Sequence, residues 1–287
     1  MIGEGTDIRT WPGRLGVKPG DTVQLMADLT RIAWNARRAG GRFSTAAFLD
    51  SFAEAVAPGG DILVPAYNFD LRSGDAFDLR GTPSISGALA NAALGHAGYR
   101  RTPHPLHSFA VRGAHAEQLA ASKEPGSFGP SSPFAFLLER KAVLLAIDLP
   151  LNDALTFVHF TEERMKVPYR AHRSLRIRYT GANGRTAGRV FSIYAKRPGH
   201  HIDLAPLEPL LEKAGALRRG EIGGSRFIRV DLALAHDAIA RDISSNGARS
   251  IHTFRWSWWL RDVLKAALRT FGVRTRHERT AHAARTA

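Results

Sequence analysis

The hydrophobic positions of the chain fall into short apolar runs separated by segments with helical spacing. Three segments are typical of buried strands: VKPGDTVQLMADL at 17–29, where a turn precedes the strand, DILVPAYNF at 61–69, and the apolar, partly β-branched run KAVLLAID at 141–148. Between the first two, FSTAAFLDSFAEAVAPGG has the spacing of an amphipathic helix, with Ser44 or Thr45 as its N-cap. A strand, a helix and a second strand form a crossover unit, which predicts an α/β fold with a parallel sheet.

The remaining segments predict further helices, an extended segment and a hairpin. Two prolines keep RTPHPLHSFAVRG extended, and RFIRVDL has the pattern of a strand. SLRIRYT and GRVFSIYAK alternate with a period of two residues around GANGRT, which predicts a β-hairpin. Helices are predicted in GALANAALGHAG, HAEQLAAS, the end of GSFGPSSPFAFLLERK, LAPLEPLLEKAGAL with closure by Gly220, and ALAHDAIARDI.

The C-terminal segment differs from the rest of the chain. Ser244, Asn246 and Gly247 mark a linker, so we predict an α/β domain at 1–248 and a basic, Trp-rich helical extension at 249–287. One face of the predicted helix is apolar, and basic residues surround that face. The apolar positions are Trp256, Trp259, Leu260, Val263, Leu264, Ala267, Leu268 and Phe271, and the basic positions are Arg255, Arg261, Lys265 and Arg269.

The net charge of +14 is concentrated in this extension. Residues 249–287 hold nine Arg or Lys against Asp262 and Glu278, a surplus of seven, which is half of the net charge. Such a segment suits contact with a membrane surface or a protein partner, and equally packing on the domain or a solubilising role. Nucleic acid is a less favoured partner because the segment contains no recognised binding motif.

Composition excludes several classes of protein. The chain has 287 residues and is 44% hydrophobic, enough for a large core, yet no apolar run approaches the roughly 18 residues of a membrane span. MIGEGTDIRTWPGR carries acidic residues and lacks the apolar region of a secretory signal, so we expect a cytoplasmic protein. The absence of cysteine excludes disulfides, thiolate metal ligands and a cysteine acyl carrier. The oligomeric state stays open.

A histidine and two carboxylates follow the third strand-like run. His159, Glu162 and Glu163 stand at i, i+3 and i+4, so a helix would bring them to one face. They lie beyond the end of a predicted strand, where α/β proteins bind ligands. By spacing alone, the competing interpretation is a surface His–Glu contact worth about 0.2–0.5 kcal/mol. A metal site is not predicted, because there is no HExxH motif and no second histidine at helical spacing.

Three segments together resemble one enzyme family. They are RTPHPLHSFAVRG at 101–113, GPSSPF at 129–134, and KAVLLAID followed by LTFVHFTEERMKVPYR. Their order and spacing are similar to those of the aminoglycoside 3-N-acetyltransferase family over roughly 17–243. The resemblance implies an N-acetyltransferase with acetyl-CoA as cosubstrate. It also implies a three-layer α/β fold in which helices flank a mixed, largely parallel sheet, with His159 and Glu162 at the catalytic positions.

The residue types suit acetyl transfer to an amine. Only the neutral amine has a lone pair, so a base with a pKa near 7 has a clear task, and histidine is the natural candidate. Glu162 can orient the imidazole of His159, although Glu163 is almost as near. Thr156 or backbone N–H groups at the helix start could stabilise the oxyanion. The resemblance also implies a third member of the catalytic cluster, usually an acid in the later half of the chain, and Asp203 is the residue assigned to it. Without cysteine, direct transfer is simpler than an acyl-enzyme, although a serine intermediate stays open.

The resemblance also implies a site for the acyl-CoA. It assigns Arg101, Thr102, His104 and Ser108 to contacts beside the pyrophosphate and pantetheine. Ser131 and Ser132 of the GPSSP turn would add backbone N–H groups ahead of a helix. The competing interpretations are a rigid, proline-braced connection for the first group and an ordinary helix cap for the second.

The chain departs from the family near its first strand. Family members usually have a His-Ser-Ser segment there, whereas this chain has LMADL at 25–29. Members with Ser-Asp-Leu resemble it better and tend to belong to polysaccharide or natural-product pathways, so the expected substrate is an amino sugar or an aminoglycoside-like amine. The alternative hypothesis is a non-catalytic scaffold that keeps the fold and uses the basic segment to bind a membrane surface or a partner.

Overall fold

A computed structural model of the protein describes residues 7–270. The described part contains one seven-stranded sheet in the order β10-β11-β6-β1-β2-β5-β4, a three-stranded sheet in the order β3-β7-β8, and the pair β12-β9. The strands are β1 (Thr22–Ala27), β2 (Asp61–Pro65), β3 (Ala76–Asp78), β4 (Arg100–Arg101), β5 (Phe109–Gly113), β6 (Val143–Ile147), β7 (Arg170–Thr180), β8 (Thr186–Lys196), β9 (His200–Ile202), β10 (Leu217–Ile222), β11 (Ser225–Asp231) and β12 (His252–Phe254).

Helices cover both faces of the large sheet. They are α1 (Trp11–Arg14), α2 (Leu29–Arg38), α3 (Thr45–Val56), α4 (Ala88–Gly95), α5 (Ala116–Ala120), α6 (Pro133–Glu139), α7 (Leu151–Ala154), α8 (Val158–Arg164), α9 (Glu208–Lys213), α10 (Leu232–Asn246) and α11 (Trp256–Thr270). Short 3-10 turns lie at Ile8–Thr10 and Ala205–Leu207. No helix of the described region is long and apolar enough to cross a membrane.

The predicted α/β fold with a mixed sheet is confirmed, and its parallel part is the centre of the sheet. Strand β1 pairs in parallel with β2 and β6, with Val23 opposite both Ile62 and Val143. The outer pairs β2–β5, β5–β4, β6–β11 and β11–β10 are all antiparallel. The sheet is therefore mostly antiparallel and not largely parallel as predicted, because β5 and β11, which extend it on either side of the parallel centre, each run opposite to the strand they pair with.

Side chains alternate between the two faces of the sheet and so make three layers. On one face, Val23 and Leu25 pack with residues of α1 to α4. On the other, Leu63, Leu144 and Ala146 pack with residues of α6 to α10. The central strands are buried on both faces, which explains their nearly continuous apolar sequences.

Local capping agrees with most predicted boundaries. Ser44 Oγ accepts a hydrogen bond from Ala47 N at 3.2 Å and caps α3, as predicted. The helix predicted at 204–217 is shorter than expected. It ends at Lys213 because Gly215 adopts a left-handed φ of 70°, and Gly220 lies inside β10 and does not close the helix.

The predicted hairpin is confirmed as the pair β7 and β8, and the chain after it returns to the domain. Helix α10 extends through the predicted linker positions and ends at Gly247, whose φ is 62°. Ile251 is fully buried, and β12 pairs with β9 before α11 begins. Phe271 and the side chains of Lys265, Leu268 and Arg269 lie outside the described residues.

Candidate active site

The histidine of the predicted pair lies at the start of α8. Strand β6 leads through α7 into this helix, and the neighbouring side chains Phe157, Val158 and Phe160 are buried in the core. Thr156 O accepts a hydrogen bond from His159 N at 3.1 Å, which closes the turn before the helix. Because the apolar positions face inward around it, His159 is held at the edge of the core with 22% of its side chain exposed.

Glu162 is the carboxylate that contacts this histidine. Its Oε2 lies 2.6 Å from His159 Nδ1, and its side chain is fully buried. Tyr169 Oη donates to Glu162 Oε1 at 2.7 Å, and Arg170 Nε lies 2.6 Å from Oε2. Glu163 lies next along the helix and is only partly buried, and burial raises the pKa of its carboxyl group. The structure therefore distinguishes the two glutamates that sequence spacing left open.

Arg170 is the cation of the cluster. Its side chain is 6% exposed, and its Nη1 donates to Tyr194 O at 3.0 Å. Its Nη2 lies 2.7 Å from Nδ1 and 3.2 Å from Nε2 of His159. The carboxylate of Glu162 can only accept, so we assign the proton to Nδ1 with Glu162 as its acceptor, and Arg170 Nη2 can then donate only toward Nε2. This tautomer leaves the lone pair on Nε2.

Opposing effects set the protonation of the pair. Burial and Arg170 lower the pKa of His159, and Glu162 only partly offsets them. Burial would raise the pKa of Glu162, but the contacts with His159, Arg170 and Tyr169 outweigh it and lower that pKa. Around neutral pH, the site therefore holds a charged carboxylate beside a neutral imidazole, which is the state of a general base ready to accept a proton.

Aromatic side chains form one wall around His159. The ring of Phe128 lies 6.2 Å from the His159 ring and 5.0 Å from that of His107. His107 Nδ1 is 2.8 Å from Ser127 Oγ, and burial keeps its pKa well below the usual value. Thr156, predicted as an oxyanion donor, is half-buried in the turn that precedes α8. A neutral, largely apolar wall strengthens electrostatic interactions in the site.

The residues predicted from RTPHPLHSF to contact acyl-CoA are buried inside the protein. Arg101 donates through Nε to Ser108 Oγ at 3.0 Å and through Nη2 to Asn68 Oδ1 at 2.9 Å. Its guanidinium lies 4.7 Å from the ring centre of Phe77, and burial lowers its pKa to about 10. Ser108 in turn donates to Ala66 O at 2.6 Å. These groups hold the loop that follows β2.

Thr102 and His104 have similar surroundings. Thr102 is fully buried, and its Oγ1 accepts from Phe109 N at 2.9 Å. His104 Nδ1 accepts from the backbone N–H groups of Leu106 and His107, both at 3.2 Å, and burial lowers its pKa to about 4. Because protein partners take these polar atoms, the structure favours the proline-braced connection over direct contact with acyl-CoA for all four residues.

The GPSSP turn is a helix cap. Ser132 Oγ accepts from Ala135 N at 3.2 Å and caps α6, and Ser132 is almost fully buried. Ser131 is exposed, and its backbone N–H donates to Glu124 Oε2 at 3.1 Å. A carboxylate of the protein thus already lies where an anion was predicted.

The structure does not bring Asp203 to the His–Glu pair. This residue is exposed, and its Oδ1 accepts from Ala205 N at 3.0 Å at the start of a 3-10 turn. Its backbone N–H donates to Ile251 O at 3.0 Å. In the structure Asp203 is a local cap, because a short polar side chain before a turn satisfies the turn's free N–H group, and its role as a third catalytic acid stays a prediction.

Three residues of the site were missed from sequence. Tyr169 and Arg170 end the segment LTFVHFTEERMKVPYR. A buried carboxylate needs a hydrogen-bond donor or a cation nearby, so burial of Glu162 would have pointed to these two residues. The third is His252 of β12, whose ring stacks on that of Tyr169 at 3.7 Å and an interplanar angle of 17°. His252 is distant in sequence, so only the pairing of β12 with β9 reveals its place.

A crevice of about 1010 Å³ lies beyond the carboxyl ends of β1 and β6. Arg31 of α2 lies 3.6 Å from Asp148 Oδ1, and Asp148 Oδ2 has no hydrogen-bond partner within residues 7–270. A second cavity of about 310 Å³ shares Asp28 and Leu149 with it. The charged residues of the large crevice are Asp28, Arg31, Arg37, Asp148, Glu208, Arg219, Glu221 and Arg226. The crevice occupies the usual ligand position of an α/β sheet.

Comparison with known proteins identifies the family. The family model described as aminoglycoside 3-N-acetyltransferase matches residues 26–242, about three quarters of the chain. This protein belongs to the aminoglycoside 3-N-acetyltransferase family. The family match confirms the predicted N-acetyltransferase class and the family resemblance found in the sequence.

Solved members of the family share the fold. Aminoglycoside acetyltransferase AAC(3)-Xa shares 25% sequence identity with this chain. Its crystal structure superposes with a TM-score of 0.68, over 82% of this chain and 90% of that chain. AAC-IIIb, solved as a binary complex with CoASH, is 22% identical with a TM-score of 0.70 over 84% and 96%. AAC-VIa with bound sisomicin is 21% identical with a TM-score of 0.67 over 86% and 99%.

Proposed function

We propose that this family member transfers an acetyl group from acetyl-CoA to an amine of an amino sugar or aminoglycoside-like compound, with His159 as the general base. One observation carries the proposal. The imidazole is held 2.6 Å from a fully buried carboxylate that is charged at neutral pH. Keeping Glu162 charged in the core requires Tyr169 and Arg170 as partners, and such an arrangement is expected where the protein must stabilise a transient imidazolium.

The proposed reaction uses the unprotonated Nε2 of His159, which Arg170 Nη2 approaches at 3.2 Å before the amine binds. The amine nitrogen attacks the thioester carbonyl, the C–N bond forms, and Nε2 takes the proton that the nitrogen loses. Glu162 stabilises the imidazolium through the Nδ1–H bond. Collapse of the tetrahedral intermediate breaks the C–S bond, and the departing thiolate receives the proton as free CoA. Thr156, in the turn before α8, remains the proposed donor to the oxyanion.

The large crevice is the proposed site of acetyl-CoA. Its volume of about 1010 Å³ suits a long cosubstrate, and Arg31, Arg37 and Arg226 supply positive charge for phosphate groups. Leu149 and Leu151 line it, and the chain continues from there into α7 and α8. The CoASH complex of AAC-IIIb supports this cosubstrate. We also propose a cytoplasmic location, where acetyl-CoA is available.

Amino sugars are the proposed acceptors because relatives bind them. Structures of AAC-VIa contain sisomicin, and one of AAC(3)-IVa contains a gentamicin. In this chain Asp28 follows β1 and Asp148 follows β6, and both residues line the crevice. Carboxylates at these positions suit a polycationic acceptor.

Thiol release from acetyl-CoA tests the proposal. The protein is mixed with acetyl-CoA and a panel of amino sugars and aminoglycosides, and free CoA is followed with a thiol reagent, which the cysteine-free chain does not consume. Amine-dependent release that His159→Ala abolishes supports the proposal. No release with any amine, together with no binding of CoA by calorimetry, would contradict it and favour the scaffold alternative.

A further inference from the structure

The C-terminal helix α11 carries its apolar face on the outside. Trp256, Leu260 and Leu264 are 70%, 62% and 61% exposed, and Val263 is 39% exposed. At i, i+4, i+7 and i+8 these side chains form one stripe along the helix, which we call the outer stripe. Soluble proteins rarely leave a contiguous apolar stripe of this kind in water without a partner.

The orientation of α11 is set by contacts on its other side. Trp258 lies 5.3 Å from the ring of His201, and Asp262 Oδ2 accepts a hydrogen bond from Gly199 N at 3.1 Å. The backbone N–H of Arg255 donates to Gly199 O at 3.0 Å. At 100° per residue, positions 258 and 262 point well away from the outer stripe. The helix is therefore anchored to the turn between β8 and β9 by its more polar edge.

The charge around the outer stripe indicates which partner can cover it. Arg261 is 55% exposed beside the stripe, and residues 249–287 carry a positive surplus of seven. A second copy of this chain would bring two such basic segments together, so electrostatic repulsion disfavours that occupant. An anionic surface is attracted instead, and tryptophan beside basic residues is the composition of helices that lie at a lipid interface.

We propose that α11 binds the surface of an anionic membrane, with the outer stripe inserted among the lipid headgroups and acyl chains. The helix lies in the plane of the interface, since no described helix is long and apolar enough to span a bilayer. The positive charge of the C-terminal segment attracts the acidic headgroups. This inference concerns a surface separate from the catalytic pair and does not depend on the proposed reaction.

Vesicle cosedimentation with the full chain tests this proposal. Vesicles of phosphatidylcholine alone are compared with vesicles that contain about one third phosphatidylglycerol, at low and at high salt. The test variant is Leu260→Glu/Leu264→Glu. The matched control is Leu210→Glu/Leu234→Glu, which changes two leucines that are 38% and 43% exposed and adds the same charge elsewhere.

The wild-type protein is expected to sediment with the anionic vesicles, weakly with the neutral ones, and less at high salt. The test variant should lose at least about 10-fold in apparent affinity, because both substitutions put charge into the interface, and the control should stay within about 2-fold. Circular dichroism checks the fold, and Leu260→Ser/Leu264→Ser repeats the test without added charge. Thiol release with a soluble amine should not change.

Three results would overturn the proposal. The wild-type chain could stay in the supernatant with anionic vesicles, or the test variant could bind as the control does. Alternatively, light scattering could show a dimer that the test variant loses while neither protein binds lipid, which would make a second copy the occupant. A protein inactive in thiol release that still binds anionic vesicles through the outer stripe would leave this inference intact and reject only the proposed function.

Discussion

The His159–Glu162 pair and the C-terminal helix both break the rule that apolar groups lie inside and charged groups outside, and they break it in opposite ways. Glu162 is a charged group in the core, and Tyr169, Arg170 and His159 contact its two oxygens. The outer stripe of α11 is apolar and lies in solvent without a cover from the described domain. A buried charge with its partners supplied by the chain supports the proposed reaction, and an exposed apolar stripe supports the proposed binding surface.

The largest expected effect on activity is that of removing the His159 imidazole. His159→Ala is expected to lower kcat by about 10²- to 10⁴-fold, since it removes the imidazole that takes the amine proton in the proposed reaction. Steady-state thiol release measures the change, and CoA affinity by calorimetry should be nearly unaffected. A variant with close to wild-type turnover would show that the pair is structural.

Neutralising Glu162 should cost stability as well as activity. Glu162→Gln leaves the Arg170 guanidinium, whose side chain is 6% exposed, without its anion, so the free energy of unfolding should fall by about 3–5 kcal/mol. Glu163→Gln is the matched control, one residue along the same helix and without the histidine contact. Urea denaturation measures the free energy of unfolding of both variants. Equal decreases in the two would contradict Glu162 as the partner of His159 and Arg170.

The same pair predicts how stability depends on pH. The folded-state pKa of Glu162 lies below its ordinary value of 4.5, so its stabilising contribution is fully present above pH 4.5 and is lost as pH falls through the folded pKa. The unfolding free energy of the wild-type protein should therefore drop on acidification more than that of Glu162→Gln. Parallel pH curves for the two proteins would argue against this account.

A smaller effect is expected where the two regions meet. His252, which lies outside the family match, stacks on Tyr169, and Tyr169 donates to Glu162, so β12 contacts the proposed site through one intervening residue. His252→Ala should reduce kcat by roughly 2- to 10-fold with little change in KM, as expected for loss of one ring contact. His252→Phe keeps a ring and should restore most of kcat. Failure of that rescue would show that stacking is not the cause.

The sequence predicted the elements that depend on local pattern and missed those that depend on distant partners. The apolar runs predicted β1, β2 and β6, and period-two alternation predicted β7 and β8. Burial of one or both faces of a strand determines which residue types occupy successive positions, so the local sequence shows it. The antiparallel edges and the pairing of β12 with β9 depend on where loops return the chain. No local signal contains that information.

The same division holds within the site. The spacing of His159 and Glu162 is local and was predictable, whereas the choice between Glu162 and Glu163 depends on Tyr169 and Arg170 approaching from β7 and the turn before it. Arg101 and Asp203 show how tertiary contacts use residue types that also suit a ligand. Their residue types suit ligand contacts, but burial against Ser108 and a local turn bond with Ala205 use their polar groups for the fold.

The pH dependence of kcat/KM tests the central claim most directly. If neutral His159 is the base, activity should rise with pH through an acid limb whose apparent pKa lies below 6.5, because burial and Arg170 lower the pKa of the imidazole. Glu162→Gln should move that limb to still lower pH, since the carboxylate raises the pKa that the other groups depress. An acid limb unchanged in His159→Ala, or one that Glu162→Gln shifts upward, would contradict the assignment of His159 as the base.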